Sequence, residues 1–271
     1  MKKNKINGYL LAGLVLFGIF LVMMIIGLFY TPYSPTAMSS AEKFQGPSAA
    51  HLFGTDNFGR DIFSRALKGG ITTFGIALAT IAIGAAAGTL IGAVTGYFGG
   101  IVDDVLMRLN DALTAFPSFL LALVIISIVG PGKKYNVILA LGIVFIPSFA
   151  RVMRTAFASL RDVNYITSAK LMGAGSPRIL FVHMLPNTVH TLLPALTIGF
   201  NNAVLAEASM SFLGIGVTPP DASLGYMLSE AQSMFGRAPW YALCTGMMIV
   251  LLVFGVGLIG EGLQRQSREV A

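Results

Sequence analysis

Six long stretches of this chain carry no charge, and that constrains its fold more than any other feature. Nothing between Lys5 and Glu42 is charged, and the apolar centre of that stretch runs from Tyr9 to Tyr30. The others run from Lys68 to Asp103, Asp111 to Lys133, Lys134 to Arg151, Arg178 to Glu207, and Arg237 to Glu261. A helix needs about 20 apolar residues to cross a bilayer, and five of the six stretches exceed that. The fourth holds only 16 residues between its bounding charges, and snorkelling Arg151 and Arg154 complete it. Backbone groups in lipid must be hydrogen-bonded internally, so each run is read as a helix. The expected fold is all-α: one polytopic domain over residues 1–271 with six transmembrane helices.

The composition agrees. The chain is 55% hydrophobic and 11% charged, against about 25% charged in soluble domains. Its net charge of +6 belongs on cytoplasmic loops by the positive-inside rule. No polar segment carries a basic run with interleaved aromatics, so a nucleic-acid partner is not expected. The lone cysteine, Cys244, excludes an internal disulfide and a Cys-based metal framework. Met1-Lys2-Lys3-Asn4-Lys5 resembles the start of a signal peptide, but Tyr9–Tyr30 is longer than a 7–15-residue signal core and reads as an anchored helix. Lys2, Lys3 and Lys5 place the N-terminus inside, and six crossings return the C-terminus to the same side. Eleven Lys/Arg then lie inside and seven outside. Residues 1–70 form a first helix and an outer loop, and 71–264 the core helices, with a cytoplasmic loop at 161–187.

That loop carries the sharpest local signal. Asn164–Asn187 reads NYITSAKLMGAGSPRILFVHMLPN. Asn164 is an expected N-cap, Tyr165–Met172 a short helix, and Gly173 its C′ terminator. Ser176 is a second N-cap with Pro177 in the first helical position, and Pro186 is expected to break or kink the chain near the fifth span. Three readings stay open for such a helix: it lies on lipid, packs on its own bundle, or docks in a partner's groove.

The spacing here resembles the cytoplasmic signature of binding-protein-dependent ABC importer permeases. Thr167-Ser168-Ala169 stands where that signature has Glu-Ala-Ala. Gly173 follows after three residues, His183 takes the Ile position, and Leu185-Pro186 fall in register. The segment Gly54-Thr55-Asp56-Asn57-Phe58-Gly59-Arg60-Asp61 is similar to an outer-loop motif of the dipeptide, oligopeptide and nickel permeases. Gly96–Gly100, Ala115-Phe116-Pro117, Ser211–Gly214 and Gly216–Pro220 also fit that branch. The resemblance implies the second permease of a pair, in a type I importer. A homologous permease would be its partner, with two ATPase subunits holding ATP and magnesium below and a substrate-binding protein outside. Spans two to five would line the path. Peptide is the first expectation for the cargo, nickel or a metal chelate the alternative, and an ion-coupled carrier the alternative of another class.

Other features have plainer readings. Gly84, Gly88, Gly92 and Gly96 recur every four residues and form a packing face, within the bundle or against a partner permease. Glu207 lies in an apolar span beside Asn201 and Asn202. It either lines the path or is held structurally near the outer interface. Asp56, Arg60 and Asp61 read as a loop tie through charge-assisted hydrogen bonds rather than a metal or catalytic pair. Gly255-Val256-Gly257-Leu258-Ile259-Gly260 matches a dinucleotide fingerprint only as a string, because no strand precedes it. Gly132-Lys133 lacks the hydroxyl residue of a P-loop. No catalytic group, metal site or bound cofactor is expected on this chain.

Overall fold

The computed structural model describes residues 7–270, with side chains through residue 265. Lys2, Lys3 and Lys5, on which the inward placement of the N-terminus rests, lie outside the described residues. In chain order the helices are α1 (Gly8–Phe29), α2 (Ile62–Phe98), α3 (Gly100–Thr114), α4 (Ser118–Val129) and α5 (Lys134–Leu160). There follow α6 (Asn164–Leu171), α7 (Ser176–Arg178), a π-helical stretch (Ile179–Met184), α8 (Leu185–Phe212), α9 (Leu224–Ser233) and α10 (Pro239–Val270).

Glycine contacts set the packing register. A Cβ on Gly84 would lie 2.9 Å from Phe145 Cβ, and one on Gly96 would lie 2.8 Å from Phe157 Cβ. Both numbers rise together, so α2 and α5 run parallel along the glycine face. Against α10, α1 runs antiparallel: Gly13 faces Ile259, and Phe17 faces Gly255. The same sense holds for α8 on α10, where Asn201 faces Gly257. The glycines of the nucleotide-like string are therefore notches for neighbouring helices.

Five helical segments are long and apolar enough to cross a membrane: Gly8–Phe29, Ile62–Phe98, Lys134–Leu160, Ser176–Phe212 and Pro239–Arg265. The expected third span is not straight. Its two pieces, α3 and α4, meet at 87°. Proline disfavours helical backbone in the residue before it and supplies no N–H, and the break falls at Ala115-Phe116-Pro117. With only 12 residues, α4 spans about 18 Å, short of a 30 Å hydrocarbon layer. Because α2 and α5 are parallel, the bent pair must carry the chain back from one end of the bundle to the other. That return is the sixth passage.

The expected fourth span extends to Leu160, for 27 residues. Its arginines do not need to snorkel alone: Arg154 pairs with Asp103 at 2.5 Å and Arg151 with Asp111 at 2.9 Å, both on α3. Three apolar clusters stack along the bundle. One joins α1, α2, α5, α8, α9 and α10 around Phe20, Ile81, Phe149, Phe200 and Tyr241. A second fills the space around Ile126, Leu141 and Met210. The third, with Met153, Phe157, Ile166, Ile179 and Met184, seats the 164–184 segment on the lower ends of α2 and α5.

Candidate functional site

At the upper end of the bundle, the 31–61 loop is closed by an ion network. Asp56 accepts from Arg60 Nε at 2.6 Å and from Arg65 Nη1 at 2.8 Å. Glu230 on α9 accepts from Arg60 at 2.9 Å and from Arg65 at 2.6 Å, and Tyr241 of α10 donates to Glu230 at 2.9 Å. Glu230 is partly buried, which raises its pKa, but Arg65 and Arg60 outweigh that and hold the carboxyl below its usual range. Asp61 does a different job. It caps α2 by accepting from Ser64 N at 2.7 Å and bonds His51 Nδ1 at 2.9 Å. Gly54 and Gly59 adopt left-handed φ values of 71° and 73°, and Thr55 bonds the Glu42 carbonyl. Sequence reasoning found Asp56, Arg60 and Asp61 but missed Arg65, Glu230 and Tyr241. Arg65, one turn beyond Asp61, was the available signal; Glu230 lies 165 residues from it.

Glu207 lines neither of the cavities between α4, α5 and α8. It is fully buried. Ser211 Oγ donates to its Oε1 at 2.7 Å while accepting from Val217 N at 3.0 Å. This ties the top of α8 to the loop that leads into α9. The hydroxyls of Ser211, Thr73 and Ser223 face the Glu207 carboxyl, rather than Asn201, Asn202 or Ser209. Asn201 turns toward Gly257 on α10. Asn202 alone of the three lines two adjoining cavities of about 340 and 300 Å³ between α4, α5 and α8, with Phe145 and Ser148 common to both. No charged side chain lines either one.

At the lower end, α6 begins one residue earlier than its sequence suggests. Val163 is the N-cap, and Asn164 is already helical. The helix ends in a Schellman arrangement: Ala174 N bonds Ala169 O at 3.0 Å, Gly173 N bonds Lys170 O at 3.0 Å, and Gly173 has φ 81°. Likewise Gly175 is the cap of α7, and Ser176 is its first residue, with Pro177 second and no side-chain cap bond. Nor does Pro186 break the chain. It enters at the start of α8 directly after the π-helical stretch, whose wider turn accommodates a residue without an N–H. Ile166 and Ala169 are buried, whereas Leu171 and Met172 are 84% and 82% exposed at the tip. Thr167 and Ser168 face outward, and His183 is half-buried on the π turn.

The family described as "Binding-protein-dependent transport system inner membrane component" matches residues 88–269, from the glycine face through α10. The chain belongs to that family. As such an inner membrane component it is a multi-pass transport protein rather than an enzyme, and membership implies a substrate-binding protein and an ATPase as partners. A dipeptide transport system permease protein, DppC, of Alkalihalophilus pseudofirmus is 37% identical over 97% of this chain and 86% of that protein. The DppC protein of Haemophilus influenzae is 36% identical over 96% and 90%. A glutathione transport system permease protein, GsiD, of Pectobacterium atrosepticum is 37% identical over 91% and 83%. Among solved structures, an inward-facing MetNI methionine ABC transporter matches with a TM-score of 0.58 and 23% identity, covering 76% of this chain and 96% of that one. The permease fold is thereby shared. Family membership sets aside the self-sufficient ion-coupled carrier.

Proposed function

We propose that this chain is the second permease of a pair that imports short peptides, powered by separate ATPase subunits. The reading rests on full-length similarity to permeases named for dipeptide and glutathione systems. In this scheme the upper end faces outward and the lower end faces the cytoplasm, with both termini inside. The 1–271 chain acts as one domain.

The coupling loop, residues 161–187, is the ATPase contact. Thr167, Ser168, Ala169 and the Gly173 stop position α6, whose exposed Leu171 and Met172 supply apolar anchors for a partner groove. Ser176, Pro177, His183, Leu185 and Pro186 join that contact to α8. The outer-loop motif, Gly54, Thr55, Asp56, Gly59, Arg60 and Asp61, forms a fixed platform beneath the binding protein. Asn202 lines the path, facing a homologous permease across it. A corridor with amide, hydroxyl and aromatic groups but no charge suits peptide backbones of either net charge. Magnesium and ATP reside on the partner subunits.

Uptake of a labelled dipeptide in cells lacking this chain tests the proposal. Restored uptake on re-expression is the expected result. Unchanged dipeptide uptake with lost nickel uptake would overturn the substrate reading. Copurification without an ATPase would overturn the mechanism.

A further inference from the structure

A third cavity, of about 460 Å³, lies at the upper end between α1, α2, the 31–38 segment and the 219–222 loop. Three basic side chains line it: Arg60, Arg65 and Lys68. The two arginines are neutralised by Asp56 and Glu230. Asp221, also on its wall, lies 3.8 Å from Lys134. Lys68 differs. It is half-buried on α2, and no carboxylate or other side chain among the described residues is bonded to its ammonium. With both arginines and Asp221 each paired, Lys68 leaves one uncompensated positive charge on the cavity wall.

The walls indicate what neutralises it. Leu28 and Ile71 give the cavity apolar wall, and Thr36 and Thr72 add hydroxyls. Beside Leu28, Phe29 and Tyr30 are 88% and 64% exposed at the end of α1, as aromatic residues are where a span meets the headgroup layer. An unpaired lysine beside apolar and hydroxyl walls, at the end of a lipid-length helix, matches a phosphodiester whose acyl chains continue down α1. We propose that this cavity binds the phosphate of an anionic phospholipid from the adjoining leaflet, with Lys68 as its counter-ion. Such a lipid fixes the end of α1 against α2 and the 219–222 loop.

The test uses the full chain purified with its copurifying subunits in detergent, with phosphatidylglycerol added and native mass spectrometry as the readout. Phosphatidylglycerol should be retained over phosphatidylcholine. Lys68→Gln should lower that retention about fivefold, the effect of one basic residue at a lipid surface, and Lys68→Arg should restore it. Size-exclusion profiles show whether each variant remains assembled; if Lys68→Gln does not, Lys68→Met takes its place. Equal retention by the neutral variant overturns the proposal. So does displacement of the lipid by inorganic phosphate at equal concentration, which marks a simple anion site. Lys68-dependent capture of the substrate-binding protein with unchanged lipid retention assigns the cavity to a protein contact and also overturns it.

Discussion

Arg65 Nη2 lies 2.6 Å from Glu230 Oε2, joining the first turn of α2 to α9 across 165 residues of sequence. Arg65 is 4% exposed and Glu230 15%, so neither charge is freely hydrated. Removing Glu230 leaves Arg60 and Arg65 sharing Asp56 alone, one buried charge short of balance, which typically costs about 3 kcal/mol. Glu230→Ala should therefore lower the thermal midpoint of the purified protein markedly. Arg65→Ala with Glu230→Ala should cost less than the sum of the two, and a double-mutant cycle measures this coupling.

The same pair sets an acid limit. Glu230 has a folded-state pKa below its unfolded value of 4.5, because Arg65 and Arg60 outweigh the upward push of burial. A depressed carboxylate stabilises fully above the unfolded value and loses that contribution as pH falls through the folded one. Stability should be flat in this respect above about pH 4.5 and decline below it. Thermal unfolding between pH 3 and 7 checks this, and Glu230→Gln should flatten the acid limb.

Gly92 tolerates no side chain. A Cβ there would lie 2.6 Å from both Ala150 O and Arg154 N, and backbone atoms of a packed helix cannot move aside cheaply. Gly92→Ala should cost about 1–3 kcal/mol through overpacking. Gly75→Ala, which meets nothing within 4 Å, should be neutral or slightly stabilising through helix propensity. Comparing their unfolding midpoints in detergent separates the packing effect from propensity.

Gly173 sits at φ 81°, where a side chain is strained by about 1 kcal/mol and proline cannot follow. Gly173→Pro should abolish ATPase copurification while membrane insertion persists. Gly173→Asn, which tolerates left-handed backbone, should retain most of it. Full ATPase recovery with the proline variant would refute the docking role.

Asn202 reaches both cavities between α4, α5 and α8. Asn202→Leu keeps the volume and removes the amide. It should reduce peptide transport roughly threefold to tenfold, the range of one hydrogen bond, while leaving ATPase copurification intact. Uptake and pull-down assays on the same preparation distinguish the two.

The helices were legible because lipid exposure forces apolar runs, and five of them appear where the charge gaps lie. Legible too was the Gly173 stop, a local backbone requirement. The bend at Phe116-Pro117 had a visible signal, the proline, but apolarity alone does not tell a straight span from two pieces. The caps of α6 and α7 fell one residue before Asn164 and Ser176, since capping residues also occupy first turns. Illegible were contacts between distant segments, such as Arg65 with Glu230 and Leu224 with Thr73. These depend on which helix faces which, and no short-range pattern encodes that.

From Ser176 to Phe212 the polypeptide continues through its π turn and past Pro186 without interruption, 37 residues in all, or about 55 Å at helical rise. Such a piece has the length of a rigid rod between the two ends of the bundle. In the proposed scheme, displacement imposed at its foot by the ATPase would reach its head, where Ser211 accepts from Val217 N.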